Sequence, residues 1–100
     1  MATSKIQSNL IQKKDFTISS IEIAANGYAT AELSASDISV SGYIPIGIID
    51  ITSSGSGRTF ILIYEFGVLS SGILRVGLRN INDTAKTVSI NVTVLYIREQ

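Results

Sequence analysis

The sequence predicts an all-β protein, a single antiparallel β-sandwich, jelly-roll-like, of about six to eight strands. Three observations carry this. Ile, Val and Thr are abundant while Ala-Leu-Glu-Lys helix chemistry is scarce, and β-branched side chains suit a pleated, half-buried surface. Apolar residues recur at period two in runs of strand length, broken by Gly, Asn and Ser clusters. The chain of 100 residues is 45% hydrophobic and only 16% charged, against about 25% charged in ordinary soluble domains. One domain of this length holds one modest core. The charge deficit then points to apolar surface hidden in an oligomer, because large bare patches aggregate.

Six main strands follow in order. The first covers about 16–23. Phe16 and Ile18 share one face, Ile21 and Ile23 the other, so a bulge or sheet switch is expected across Ser19-Ser20. Ala25-Asn26-Gly27 is a turn with residues suited to positive φ. If it joins a hairpin, Glu22 and Glu32 face each other across it. The second strand, 28–34, turns Ala29, Ala31 and Leu33 inward. Ser36-Asp37 reverses the chain, and Ile38 with Val40 is a candidate for a short extra strand. The third strand, 43–52, is apolar on both faces, and Pro45 places this part at an edge, a strand start or a bulge. Ser53 to Gly57 reads as a Gly/Ser loop.

The fourth strand, 59–66, is expected to turn Phe60, Leu62, Tyr64 and Phe66 inward, and the fifth, 73–80, Leu74, Val76 and Leu78. A hairpin between them with Phe66 opposite Leu74 sets Glu65 against Arg75, a favourable cross-strand pair. A slip by two residues would set Glu65 against Gly77 instead. After the polar loop 82–86 the last strand, 87–98, carries an inner row of Val88, Ile90, Val92, Val94 and Tyr96. Its other row is polar until Leu95 and Ile97. A strand end that is apolar on both sides needs cover on both sides, which makes Leu95 and Ile97 the candidate subunit interface. Residues 1–14 differ in character and read as an N-terminal arm before a sandwich domain over 15–100.

Few chemistries survive the composition. There is no cysteine and no histidine, which removes disulfides and thiol or imidazole catalysis. Net charge is zero with the basic residues scattered, so the stripe expected of a nucleic-acid binder is missing. No nucleophile motif, phosphate loop or metal-loop spacing occurs; no catalysis, cofactor or metal is expected. The eight acids read as solvated strand-surface groups rather than a hydrolytic pair. No apolar run reaches the ~18 residues that span a bilayer, and no signal peptide follows Met1, so membrane insertion is not expected and synthesis in a cytoplasm is.

If each strand reverses the last, three polar loops share one end: 25–27, 53–58 and 82–86. Their side chains Asn26, Ser53, Ser54, Ser56, Arg58, Asn82, Asp83 and Lys86 are candidate binding residues, since recognition often sits on loops carried by a rigid scaffold. Gly55-Ser56-Gly57-Arg58 is also a weak anion-nest candidate. Exposed tyrosines commonly stack on sugars or anchor protein contacts. The expected core row claims Tyr64, whereas Tyr28 and Tyr43 lie beside loops.

Three stretches carry a resemblance. Gly42-Tyr43-Ile44-Pro45-Ile46-Gly47-Ile48-Ile49 resembles the "GYxPIGIxG" strand of small β-sandwich modules in bacteriophage fibres of gut Firmicutes phages. The run from Thr87 to Ile97 is similar to their "VTVTVLYIK" ends, and 16–28 to their "vtissisIaansg" opening. The likeness covers most of the chain beyond Lys14 and consists of strand patterns, without an active-site signature. It implies a virion structural component, homotrimeric, made in the host cytoplasm. Such a module recognises a bacterial surface glycan or protein. Two alternatives are kept: a capsid decoration or head-fibre protein bound to other virion subunits, and a small carbohydrate-binding module. The trimer rests on the resemblance alone.

Overall fold

The computed structural model describes residues 10–99. Residues 1–9 of the expected arm lie outside the described residues. The elements are β1 (Ile11–Ile23), β2 (Tyr28–Leu33), the one-turn helix α1 (Ala35–Ile38), β3 (Tyr43–Ser54), a 3-10 turn (Arg58–Phe60), β4 (Ile61–Val68), β5 (Leu74–Asn80) and β6 (Lys86–Arg98). The six strands form two antiparallel sheets of three, ordered β1-β6-β3 and β2-β5-β4. The chain is therefore all-β, as its period-two pattern requires.

The core lies between the two central strands. Val88, Ile90, Val92, Val94 and Tyr96 of β6 and Leu74, Val76 and Leu78 of β5 are buried, joined by Ile23, Ala31 and Ile38. The inner row read from the last strand is thus the inner row of β6. The parity break in the first strand is also present: register shifts between Ile18 and Ile21, with Ser20 at φ 56. The bulge brings Phe16, Ile18, Ile21 and Ile23 to the same core. Pro45 lies on the edge strand β3 at one of its two register shifts, Pro45/Gly47 and Ile48/Asp50, where a missing N–H breaks no central ladder.

Several expectations need correction. β1 begins at Ile11, with Lys13 opposite Leu95 and Lys14 opposite Val94; an edge strand carries charge readily because one flank meets water. β1 and β2 belong to different sheets, so Glu22 faces Thr87 and Glu32 faces Arg75, and the two acids do not meet. Ile38 ends a helical turn rather than forming a strand with Val40. The Ser34 hydroxyl accepts from the Asp37 amide and the Asp37 carboxylate accepts from the Ser34 amide, both at 3.1 Å. This reciprocal cap starts the turn and drops Ile38 into the core. Ser53 and Ser54 are not loop residues; they extend β3 opposite Ile90 and Ser89.

The largest correction concerns β4. Ile61 and Ile63 pack on the core, whereas Leu62, Tyr64 and Phe66 are exposed and Phe60 sits in the 3-10 turn. The β4/β5 register sets Glu65 opposite Gly77 and Phe66 opposite Val76, with a shift at Ile63/Glu65. This is the two-residue slip. Arg75 did not need Glu65, because β5 is central and its other neighbour β2 supplies Glu32 at 2.7 Å.

Candidate functional site

Four surfaces hold the residues of interest. The first is the loop end. The Asn26 amide donates to the Asn82 carbonyl at 2.9 Å, and the Asn82 side chain accepts from the Thr84 amide and hydroxyl at 3.0 and 2.7 Å. The Lys86 ammonium sits 4.8 Å over the Phe60 ring. The three loops do converge at one end, with Asn26 against Asn82 and Lys86 against Phe60 and Gly57. Asp83, Ser56 and Arg58 are exposed there.

Beneath these loops lies a residue that motif reading passed over. Asn80 is fully buried. Its Nδ2 donates to the carbonyls of Ile23, Ala24 and Thr84 at 3.1, 3.2 and 2.9 Å, and its Oδ1 accepts from the Asn82 amide at 2.9 Å. A buried amide with its groups satisfied pins two loops to the end of β5. The sequence held one signal: Asn80 continues the inward row Leu74, Val76, Leu78, so a polar side chain there had to find partners inside.

The second surface is the outer face of sheet β1-β6-β3. One row across it is Ile11, Ile97 and Ile44, and the next is Lys13, Leu95 and Gly47. Ile46 and Ile49 fall at the two bulges on the β3 edge. These five isoleucines are 40–55% exposed, and Leu95 is half-buried. Farther along, the face turns polar. Thr93 donates to Asp15 at 2.6 Å, and Thr17 hydrogen-bonds to Asn91. Apart from Ile49, which lies level with Thr93 and lines the groove between β3 and β4, the apolar band is confined to the end away from the three loops.

The third surface is the outer face of sheet β2-β5-β4. Its rows are Tyr28, Arg79, Leu62, then Thr30, Gly77, Glu65, then Glu32, Arg75, Gly67. Tyr64, at the bulge, reaches over Gly77: a Cβ there would stand 2.8 Å from its Cζ. The Tyr64 and Tyr28 rings meet edge to face, centroids 5.5 Å apart at 90°. The Arg79 guanidinium sits 5.0 Å over Tyr28. Tyr28 is 63% and Tyr64 54% exposed. Tyr43, by contrast, packs against the core. Tyr96 is buried and donates to the Ile38 carbonyl at 2.5 Å; burial pushes its phenol above the ordinary value of 10.0.

The fourth is an open groove of about 320 Å³ between the β3 and β4 edges, lined by Ile48, Ile49, Asp50, Ile51, Ile63 and Phe66. It is at the small end for a ligand pocket, and Asp50 is its one polar side chain. Among the described residues no group of three or more acids, histidines or cysteines is placed to hold a metal ion, and no helix is long and apolar enough to cross a membrane.

No protein-family model, curated protein or solved structure matches the chain.

Proposed function

We propose that this chain is a phage virion structural protein, a non-catalytic fibre or receptor-binding module that assembles as a homotrimer and recognises a bacterial surface. The observation that carries the assembly half is the isoleucine band around Ile97. Four half-exposed isoleucines, Ile11, Ile44, Ile46 and Ile97, in one region exceed what isolated surface residues amount to, and closed cyclic symmetry hides such a band without leaving a free copy of it. The virion assignment is supported by the likeness of 42–49 and 87–97 to fibre-module strands. The strand order supports a reduced jelly roll: removing the fifth and sixth strands, one from the edge of each sheet, from a jelly roll of eight strands leaves the order found here. In the assembled protein the Ile97 end forms the attachment and the loop end points away from it.

Multi-angle light scattering tests the assembly. The wild type should run as a trimer, and replacing Leu95 and Ile97 with Asp should yield a folded monomer with an unchanged strand spectrum. A monomeric wild type would sink the proposal, as would an intact trimer in the double variant. Adsorption of labelled trimer to candidate host cells separates a receptor-binding module from a capsid decoration, which should bind purified virions instead.

A further inference from the structure

We propose that the outer face of sheet β2-β5-β4 is a binding platform for a neutral pyranose glycan, centred on Tyr64 and Tyr28. The inference rests on the reading that the protein recognises a bacterial surface, and it moves the recognition site from the loop end to a sheet face.

The face carries its aromatics outward. Gly77 removes the one side chain that would block Tyr64 from crossing the central strand, so Tyr64 reaches Tyr28 on the far strand and meets it at 90°. Two ring surfaces at right angles offer a floor and a wall. Neither ring serves the core, since each keeps more than half its surface open. The C–H face of a pyranose is the apolar, shallow partner that such rings accept, and the phenol hydroxyls remain free to bond the sugar's edge.

The polar groups on the face choose between ligand classes. The Arg79 side chain has no hydrogen-bond or ion-pair partner among the described residues, its Nε being shut from water without an acceptor. Glu65 makes no ion pair among them, while Arg75 and Glu32 pair with each other. Two cations and two anions lie within three adjacent rows, so a phosphate or uronate drawn by Arg79 would meet Glu65 and Glu32. A guanidinium only donates and a carboxylate only accepts. A sugar hydroxyl does both, and one ligand rich in such groups satisfies Arg79 and Glu65 together without net charge.

The test uses the full chain with cellohexaose, galactohexaose and chitohexaose as neutral probes and hexagalacturonate as the charged one. The chain contains no Trp and four Tyr, two of them on the platform, so intrinsic fluorescence reports binding; the Gly77 amide and the Arg79 Nε–H give its position by NMR. At least one neutral probe should bind in the millimolar range or better and shift both signals. Tyr64→Ala should weaken that binding about tenfold or more while leaving the melting curve and oligomeric state unchanged. Absence of binding by all three neutral probes overturns the inference, and so does tighter binding of hexagalacturonate. Shifts confined to the 24–27, 55–58 and 82–86 loops would also overturn it. Cell adsorption that survives Tyr64→Ala would remove this platform while leaving surface recognition intact. A failure of trimer formation would strike the assembly reading without touching the platform.

Discussion

Replacing Asn80 with Ala should be the most damaging single change outside the apolar core. The amide carries two hydrogens that are divided among three carbonyls, and its oxygen accepts one backbone amide. That amounts to about three hydrogen bonds, each contributing ~1 kcal/mol net. The truncated side chain also leaves the Ile23 carbonyl without its buried partner, so rewetting offsets little. We expect a loss of about 3 kcal/mol, equivalent to a melting point lower by roughly 12–24 °C for a domain of this size. Urea unfolding followed by circular dichroism measures it, and hydrogen exchange at the Asn26 amide, which bonds the Asn82 carbonyl, should accelerate well before global unfolding. Asn80→Asp makes a sharper comparison. Its carboxylate would face three carbonyl oxygens, so it should be worse than Ala at neutral pH and recover partly in acid, where protonation restores one donor. A loss below about 1 kcal/mol for the Ala variant, or no acid recovery for the Asp variant, would refute the argument.

Other outcomes follow from the same geometry. Glu32→Ala should lower stability by at most ~1 kcal/mol, because the pair with Arg75 is half-exposed, and Glu65→Ala should change nothing measurable; the reverse ranking in thermal melts would restore the unslipped register. Tyr96→Phe should destabilise at neutral pH through the lost bond to the Ile38 carbonyl. The raised phenol value means that the unfolded chain ionises first, so wild-type stability falls as pH rises above about 10. The gap between wild type and Tyr96→Phe should therefore close in alkali, and a gap independent of pH would contradict burial of the phenol. Under the proposed trimer, the Asp double substitution at Leu95 and Ile97 should give a monomer of unchanged secondary structure, measured by light scattering and circular dichroism.

Strands were legible wherever one face was polar. β6 alternates cleanly until Leu95, and its five inner residues are all in the core. The Ser19-Ser20 break and Pro45 were legible because each violates a rule of regular pairing. β4 was not, since Leu62, Tyr64 and Phe66 are as apolar as Ile61 and Ile63; parity has no preference when both faces are greasy. The outward-facing Gly77 was the missing clue, because it leaves a gap that an exposed ring fills. Charge matching misled for a related reason: a central strand has two neighbours, and Arg75 took its acid from β2. The loop end was legible from strand reversal alone, whereas the Tyr28–Tyr64–Arg79 platform was hidden by assigning Tyr64 to the core.

The position of β6 has one more consequence. Both β1 and β3 pair only with β6 in their sheet, and β6 follows every strand it serves. During synthesis the β2, β4 and β5 strands can form their three-stranded ladder while β1 and β3 wait without partners. Sheet β1-β6-β3 must then close in one late step, joining Ile11 to Ile97 across most of the chain. Such long-range closure is slow, and until it happens the edges and the isoleucine-rich β3 are open to other chains. A nascent copy held on the ribosome short of β6 should therefore be the most chaperone-dependent form of this protein.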